Sequence, residues 1–433
     1  MIFGRRDFLS GAAALGAMVA FGAQKSEGRR EAALFRGEYD HVVVGGGFAG
    51  VAAALASARA GAKTCLVERT SVLGGLSTQG HVIVFMPLCD GFGRQVTYGI
   101  PEELLRLPMK YSAARPNGFW ESKKGTKAEL SSKRYELVFD PGPMMLGMER
   151  LLLEAGVEIF YDCDVDGVEM KEGRIGGVSA HCGAERLHLA ANAFTDATGA
   201  AVVAGYCGAG VEAGIEGNSP GGWYYVVNEN RQILMRTGAG RFFKKNFPLE
   251  ARNYRGDDLI ERSRHMQAVR KAILLDNAEE NRRLKAEGKK PVHIFSIPTY
   301  PTMLKLRKLA CGGSEGAIVG IFSDWRKSGP VYPLKFGQLI VPGVSNLLVA
   351  GRCIACPGEM WDVVRCLPAC CASGQAAGTA AAMLAKEGAY EKLDMTALRS
   401  RLVASGVKLD DDLLIPDPEW KGDDVKEREE GVF

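Results

Sequence analysis

Short apolar runs separated by one helical stretch stand out in the first third of the chain. An apolar run at residues 40–44 leads into several glycines, an alanine-rich stretch at residues 51–60 and a second apolar run at residues 63–67. Uninterrupted apolar runs of this length, bounded by glycine, are typical of strands buried in a parallel sheet. The order strand, helix, strand therefore predicts a βαβ unit in an α/β protein.

Later apolar runs predict further strands around this unit. They lie at residues 157–161, 165–170, 174–180, 193–197 and 347–350. A turn sequence at residues 171–173 joins the second and third of these runs, which predicts a hairpin inserted between parallel strands. An alanine-rich stretch at residues 371–384 predicts a helix that begins behind Pro368.

The middle of the chain has a different pattern. A long charged stretch at residues 257–289 predicts a helix, and the runs around it predict strands at residues 222–227, 295–300 and 316–322. The narrow helix face that we expect to be buried carries Leu259, Ser263, Met266, Val269 and Ile273. A long helix beside separate strands predicts an α+β substrate domain.

These patterns predict a discontinuous α/β domain of the Rossmann type with an inserted α+β cap. The predicted divisions are a signal segment and linker at 1–30, a dinucleotide-binding domain at 38–214 and 330–405, the cap at 215–329 and an acidic tail at 406–433. We expect the cap to form the substrate region, because it interrupts the segments that build the sheet.

The first thirty residues predict an export signal. Paired arginines, Arg5 and Arg6, precede Phe8 and Leu9 in the spacing of a twin-arginine signal, and an uncharged stretch follows at residues 11–23. That stretch is shorter than the ~20 apolar residues of a membrane-spanning helix. We therefore expect export by the twin-arginine route to the periplasm or the extracellular space. An uncleaved membrane anchor and an ordinary N-terminal helix are the alternatives.

Composition and charge narrow the class of protein. Apolar residues make up 46% of the chain and charged residues 24%, which excludes a wholly disordered or fibrous protein. The formal net charge of +3 is carried by residues 1–30, so the rest of the chain is neutral. A nucleic-acid partner is therefore not expected. The 54 glycines in 433 residues have no strict period, which favours tight turns and close approach of backbone to a ligand.

The chain contains eleven cysteines, and most of them lie in apolar or glycine-rich surroundings. We expect such residues, for example Cys65, Cys163 and Cys207, to act as small buried hydrophobes. Five cysteines are close together in sequence: Cys353, Cys356, Cys366, Cys370 and Cys371. Cys353 and Cys356 have the CxxC spacing of redox motifs, and Cys370 and Cys371 are adjacent. Their spacing is not that of a bacterial iron–sulfur motif, so no cluster is expected from this chain.

A glycine motif follows the first predicted strand. Gly45, Gly47 and Gly50 have GxGxxG spacing, and Glu68 ends the second strand about twenty residues later. The first glycine permits a tight turn, the second lets backbone approach a pyrophosphate and the third lets helix and strand pack closely. Glu68 can accept hydrogen bonds from ribose hydroxyls. This context predicts a dinucleotide site but does not choose between FAD and NAD.

The loop at residues 73–78, with the sequence LGGLST, favours FAD. From this point the chain resembles the FAD-dependent oxidoreductases of the glutathione-reductase-like superfamily, and within it the branch grouped with the flavoprotein subunit of heterodisulfide reductase. The resemblance covers most of residues 38–405 and is carried further by residues 99–105, 139–141, 196–199, 346–353 and 374–378, with Val165 and Pro368.

The motif and the resemblance together predict the residues that contact FAD. These are Gly45, Gly47, Phe48, Ala49, Gly50, Glu68, Arg69, Gly74, Gly75, Leu76, Ser77, Val165, Ala197, Thr198, Gly199, Gly351, Arg352, Gly374, Gln375 and Ala376. The resemblance places the backbone of Val165 at the adenine. Arg352 stands where the wider superfamily has an aspartate, and it agrees with the narrower branch. The resemblance implies that Arg352 binds pyrophosphate or neutralises a reduced flavin.

The predicted reaction is hydride transfer between a small organic substrate and flavin N5. No second GxGxxG unit with a following acidic residue occurs, so we expect a quinone, a redox protein or oxygen, and not a nicotinamide nucleotide, as the electron acceptor. A flavin-dependent isomerase or carbohydrate-active enzyme without net oxidation is one alternative. An electron-transfer flavoprotein module is the other.

Candidate acid–base and anchoring groups are few. The main candidates are His81, which follows the flavin-side loop, Glu359, and Arg365, which could anchor a substrate carboxylate. His293, Tyr300 and Tyr332 are further candidates near the same segments.

Overall fold

A computed structural model describes the chain at residues 34–132, 134–214, 218, 222–243, 252–300, 306–310 and 315–421. The predicted export segment at 1–30 lies outside the described residues. The strands are β1 Leu34–Val44, β2 Thr64–Val67, β3 Val84–Phe85, β4 Leu137–Val138, β5 Glu158–Phe160, β6 Asp164–Lys171, β7 Arg174–Cys182, β8 Glu185–Asp196, β9 Val211–Ala213, β10 Tyr224–Val227, β11 Ile233–Arg236, β12 His293–Ser296, β13 Arg307–Leu309, β14 Ile318–Ser323, β15 Val331–Lys335 and β16 Leu347–Val349. The helices are α1 Phe48–Arg59, α2 Ile100–Arg106, α3 Gly118–Ser122, α4 Lys127–Ser132, α5 Pro141–Glu154, α6 Val202–Tyr206, α7 Leu259–Ala286, α8 Trp361–Val364, α9 Leu367–Glu387 and α10 Met395–Ala404.

The main sheet has the strand order β5-β2-β1-β8-β7-β6, and β16 also pairs with β8. Strands β5, β2, β1, β8 and β16 run parallel, whereas β6 and β7 are antiparallel to their neighbours. The long strand β8 has three neighbours. Strand β1 pairs along most of its length, whereas β7 pairs with its first half and β16 with its last three residues. The α/β fold class and the hairpin inserted between parallel strands are therefore confirmed.

Two helices, α1 and α9, lie against each other at unusually close range. A Cβ atom at Gly374 would overlap the carbonyl oxygen of Ala49, and one at Gly378 would overlap that of Ala53. These positions are one helical turn apart on each helix, so glycine on α9 meets the backbone of α1 twice in succession. Close packing of α9 on the helix that follows the glycine motif places both helix N-termini near the same edge of the sheet.

The cap contains a small antiparallel sheet with the order β11-β10-β12 and the long helix α7. Tyr224 and Val226 pack with Val269, Ile273 and other apolar residues into a cluster separate from the main core. The predicted buried face of the helix is only partly correct. Leu259 at its first position is 67% exposed, and His265, Ala272 and Asp276 are buried instead.

A disulfide links Cys163, just before β6, to Cys182, at the end of β7. The expectation that Cys163 acts as a small hydrophobe is therefore wrong. Cys65 and the cluster members Cys353, Cys356, Cys370 and Cys371 are buried free thiols. Among the described residues, no group of three or more His, Cys, Asp or Glu side chains is arranged to hold a metal ion. In the same part of the chain, no helix combines the length and apolarity needed to cross a membrane.

Candidate functional site

The glycine motif forms a tight turn between β1 and α1. Gly45 has a φ of +104°, and a Cβ atom there would lie 2.5 Å from the carbonyl oxygen of Ala197. A Cβ atom at Gly50 would overlap the carbonyl oxygen of Gly45. A Cβ atom at Gly47 would have no other atom within 4 Å. The turn is thus closed against the sheet and open on its outer side, where α1 begins and presents backbone N–H groups to an anion.

Glu68 is fixed at the end of β2 and is 5% exposed. Its Oε2 accepts a hydrogen bond of 2.6 Å from the backbone N–H of Gly46, and its Oε1 accepts from the backbone N–H and the hydroxyl of Thr70. A carboxylate offers about four acceptor positions, so one position remains for a ribose hydroxyl. The Thr70 hydroxyl also accepts from Nε2 of Gln79, which ties this corner to the next loop.

The second glycine loop lies directly over the first. Gly74 has a φ of +99°, and its N–H donates to the carbonyl oxygen of Gly46 at 2.8 Å. A Cβ atom at Gly75 would lie 3.6 Å from Cα of Gly47. A short 3₁₀ turn, Gly75–Ser77, follows. The structure therefore brings the two loops together as two sides of one cradle, which is what a dinucleotide pyrophosphate requires.

The ends of β8 and β16 close the same edge of the sheet. The N–H of Ala197 donates to the carbonyl oxygen of Val44 at 2.8 Å. Gly199 has a φ of +67°, and the guanidinium of Arg352 lies against its Cα. Arg352 is 9% exposed, so its charge is held in the interior at this edge. Because Arg352 directly follows Gly351, the two predicted loops, Ala197–Thr198–Gly199 and Gly351–Arg352, meet there.

The N-terminal half of α9 contacts the same region. The hydroxyl of Ser373 accepts a hydrogen bond of 2.8 Å from the N–H of Gly351. The Gln375 side chain is used elsewhere: its Oε1 accepts from the N–H of Ile100 at 2.9 Å, and its Nε2 donates to the hydroxyl of Ser405 at 3.0 Å. Gln375 therefore joins α9 to α2 and α10, a role that the sequence did not indicate.

Val165 and Arg69 lie close to Glu68 and the end of β2. Val165 is the second residue of β6, and the N–H of Cys163 just before that strand donates to the carbonyl oxygen of Glu68 at 3.1 Å. The guanidinium of Arg69 lies 4.8 Å from the ring centroid of Tyr300 in the cap. The adenosine side of the predicted site is thus in contact with both the hairpin and the cap.

The predicted catalytic residues lie in different surroundings. His81 is 6% exposed and has a φ of +58°, and its Nε2 lies 3.3 Å from the hydroxyl of Ser296 in the cap. Nε of Arg365 donates to Oδ1 of Asp362 at 3.1 Å, and its guanidinium lies 5.0 Å from the ring centroid of Trp325. Glu359 is exposed on a short turn. Among the three, the structure places His81 where cap and cradle meet.

The secondary candidates have structural partners or exposed positions. His293 is exposed at the first residue of β12. The hydroxyl of Tyr332 donates to Oδ2 of the buried Asp324 at 3.2 Å. Sequence reasoning missed Tyr225, whose ring contacts that of His81 edge-on with centroids 5.1 Å apart. The alternation along β10 could have found it, since Tyr225 must point away from the side on which Tyr224 is buried.

Burial keeps the imidazole of His81 and the phenol of Tyr225 neutral near pH 7. Burial lowers the pKa of His81, and the nearby backbone of Trp223 acts weakly in the opposite direction. Burial raises the pKa of Tyr225 to about 12, and the charge of Asp140 adds to that shift. A neutral imidazole beside a neutral phenol can accept one proton and donate another.

Known proteins resemble the chain at the level of family and fold. Residues 40–306 and 318–402 match the family model described as "FAD dependent oxidoreductase". No curated protein matches the sequence. Similar solved structures include p-nitrophenol 4-monooxygenase PnpA from Pseudomonas putida DLL-E4, with 14% identity, a TM-score of 0.43 and coverage of 86% of this chain and 85% of that one.

Two more solved structures show a similarly remote likeness. A geranylgeranyl bacteriochlorophyll reductase-like protein from Thermoplasma acidophilum is 12% identical, with a TM-score of 0.38 over 86% of each chain. A 3-ketosteroid-Δ4-(5α)-dehydrogenase from Rhodococcus jostii RHA1 is 15% identical, with a TM-score of 0.36 over 81% of this chain and 97% of that one. The family match covers most of the sequence, and the cradle has the glycines and the acidic residue that FAD needs. The chain belongs to the FAD-dependent oxidoreductase family, and it is an oxidoreductase that uses FAD.

Proposed function

We propose that this protein transfers hydride between a carbon atom of a small organic substrate and N5 of FAD. The observation that carries the proposal is the position of His81. This residue lies on the loop that follows Gly75–Ser77, and it is buried against the cap strands β10 and β12. A hydride-transfer enzyme needs a titratable group beside the reacting carbon, in a place shielded from water. His81 supports the proposal because it is titratable and is shielded from water where the cap meets the cradle.

The residues of the cradle have separable roles in this proposal. When bound, FAD supplies the site that accepts or donates hydride. The open side of the turn at Gly47 and the N-terminus of α1 bind the pyrophosphate, and Glu68 binds the adenosine ribose. Arg352 and the N-terminus of α9 would place positive potential at this edge of the sheet, which would stabilise negative charge on a bound flavin. His81 takes or gives the proton on the substrate.

The electron acceptor in this proposal is a quinone, a redox protein or oxygen. The sequence has no second dinucleotide motif that could bind a nicotinamide nucleotide. An isomerase or carbohydrate-active enzyme would convert its substrate and leave the flavin oxidised at the end. An electron-transfer module would have no use for a buried acid–base group under a cap, so the position of His81 favours an enzyme.

The test is an anaerobic reduction experiment on the purified holoprotein. Sugars, hydroxy acids, alcohols and amines are added one at a time, and the flavin absorbance at about 450 nm is followed. The proposal expects bleaching by an organic donor and not by NADH, followed by reoxidation with a quinone, cytochrome c or oxygen. Substrate conversion without bleaching would favour the isomerase alternative, and rapid bleaching by NADH alone would contradict the proposal.

We also propose that the chain is exported by the twin-arginine route and belongs to the branch grouped with the heterodisulfide reductase flavoprotein subunit. The disulfide between Cys163 and Cys182 supports an oxidising compartment. Arg352 after Gly351 supports the branch. Replacing both Arg5 and Arg6 with lysine tests the export route, because the variant is expected to stay in the cytoplasm in cell fractionation. Unchanged export of that variant would contradict it.

A further inference from the structure

Tyr225 lies on the face of the cap sheet that points toward the FAD-binding body. Its neighbours on β10, Tyr224 and Val226, are buried in the cap cluster with α7. Side chains alternate along a strand, and Tyr225 accordingly packs against the main core instead. The phenol ring therefore reaches from the cap toward the loop that carries His81.

Three polar side chains from separate segments meet at this place. Tyr225 on β10 pairs in register with Ser296 on β12. Both contact His81, Tyr225 through its ring and Ser296 through its hydroxyl at 3.3 Å from Nε2. Because His81 comes from the loop after the cradle, the group joins the cofactor side of the molecule to the cap.

Two atoms of this group are buried and have no hydrogen-bond partner within the described residues. They are Oη of Tyr225 and Nδ1 of His81. The backbone of Trp223 is a weak hydrogen-bond partner of the imidazole and raises its pKa, but its geometry does not satisfy Nδ1 fully. Buried polar atoms are almost always paired in folded proteins. Two such atoms on rings in contact are placed to bind a polar group that is not among the described residues.

The chemistry of the group indicates what that partner is. A phenol and a neutral imidazole suit an uncharged oxygen, because a buried carboxylate would need a positive charge beside it, whereas the charge that acts on Tyr225 is the negative charge of Asp140. The Arg365 guanidinium, the predicted carboxylate anchor, is already held by Asp362. The arrangement therefore favours an uncharged alcohol over an acid.

We propose, resting on the proposed function, that His81 and Tyr225 bind the hydroxyl oxygen of a neutral alcohol substrate. Tyr225 Oη donates a hydrogen bond to that oxygen, and His81 accepts the hydroxyl proton. The electron pair of the O–H bond becomes the second bond of the carbonyl group as the C–H hydrogen leaves as hydride to FAD. One alcohol thus gives one ketone or aldehyde, with two electrons on the cofactor and one proton on His81. Tyr225 is a catalytic residue in this account.

The experiment compares alcohols with amines of the same carbon skeleton. The anaerobic holoprotein is mixed with cyclohexanol or cyclohexylamine, and with 1-phenylethanol or 1-phenylethylamine, and bleaching at about 450 nm is recorded. At least one alcohol is expected to bleach the flavin faster than its matched amine. Bleaching by an amine and by none of the alcohols would overturn this inference and leave the proposed function standing. Bleaching by no donor of any class would end both.

Three variants test the residues with the alcohol that bleaches best. Tyr225→Phe is expected to slow bleaching about tenfold, as loss of one hydrogen bond implies, and His81→Gln about a hundredfold. Tyr224→Phe is the matched control, since its hydroxyl faces Asp276 on the other side of the sheet, and it is expected to keep the wild-type rate. Wild-type rates in Tyr225→Phe or His81→Gln would overturn the inference.

A second readout does not depend on turnover. The ketone that corresponds to the best alcohol is titrated into the oxidised holoprotein, and the shift of the flavin absorbance gives its Kd. Tyr225→Phe is expected to raise that Kd about tenfold, with FAD content and melting temperature unchanged. A Kd unchanged from the wild type would show that Tyr225 is structural and would overturn the inference.

Discussion

The backbone N–H of Gly46 donates a 2.6 Å hydrogen bond to Oε2 of Glu68, and this contact joins the glycine turn to the end of the neighbouring strand. The carboxylate thereby fixes the turn and presents its one remaining acceptor position to a ribose. Hydrogen bonds to a charged acceptor are about twice as strong as those between neutral groups. The shape of the cradle and its choice of ligand therefore depend on the same side chain.

Replacing Glu68 with Gln is expected to weaken FAD binding. The amide is neutral, and its NH₂ group cannot accept from Gly46 or from a ribose hydroxyl, so the Kd for FAD should rise about tenfold to a hundredfold. Glu103→Gln is the control, because Glu103 lies in an exposed ion pair with Arg59. Quenching of flavin fluorescence measures both variants. Equal Kd values for E68Q and the wild type would contradict the role given to Glu68.

Replacing Gly378 with Ala is expected to destabilise the protein strongly. The new Cβ would overlap the carbonyl oxygen of Ala53, so α9 must move away from α1, at a cost of about 3 kcal/mol or more in the free energy of unfolding. Gly205→Ala in α6 is the control, since a Cβ atom there meets nothing within 4 Å. Urea unfolding compares the two variants. A small effect of G378A would show that the two helices can separate without loss.

His41 is expected to make the protein less stable in mild acid. It is fully buried on β1, and burial lowers its pKa to about 3. Its ordinary pKa is about 6.5, so between those values the unfolded chain binds a proton that the folded chain does not. Stability is then complete above about pH 6.5 and falls by up to about 1.4 kcal/mol per pH unit as the pH drops toward 3.

Unfolding in urea at several pH values between 4 and 7 measures that slope. His41→Asn does not titrate in this range, so its unfolding free energy should depend less on pH than that of the wild type. His181→Asn is the control, because His181 is exposed on the hairpin. Identical slopes in H41N and the wild type would refute the assignment.

Breaking the disulfide is expected to destabilise the hairpin beside the cradle. Cys163 and Cys182 are separated by 19 positions, and closing a loop of this size contributes about 3 kcal/mol. The double variant with serine at both positions should lose about that much free energy of unfolding. It should also release FAD faster. The backbone N–H of Cys163 donates to the carbonyl oxygen of Glu68, so a loosened hairpin holds the end of β2 less firmly. A peptide map of the unreduced wild type that lacks the linked pair would contradict the bond itself.

The sequence predicted the parts of the site that are formed by residues close together along the chain. The turn at Gly45, the acidic residue at Glu68 and the hairpin around residues 171–173 follow from patterns within about thirty residues. The disulfide was within reach of the same reasoning. Lys171 pairs with Arg174, and a regular hairpin continued from that pair sets Cys163 opposite Cys182; the two register shifts along the observed hairpin cancel, so Asp164 still pairs with His181.

The contacts that the sequence did not predict join distant segments. His81 meets Tyr225 only because the cap sheet folds back over the cradle, and Gln375 meets Ile100 only because α2 packs beside α9. Leu259 is exposed because the buried face of α7 begins nearly two turns later, at His265. Periodicity gives the apolar stripe of a helix but not where a partner begins to cover it.

A competition titration tests most directly whether the two glycine loops and Glu68 form the site for the ADP half of FAD. Flavin-free protein is titrated with FAD in the presence of ADP, and in parallel with FMN, with fluorescence quenching as the readout. We predict one FAD per chain, displacement of FAD by ADP, and much weaker binding of FMN, which lacks the adenosine. FMN binding as tightly as FAD, or FAD binding that ADP does not affect, would contradict the account.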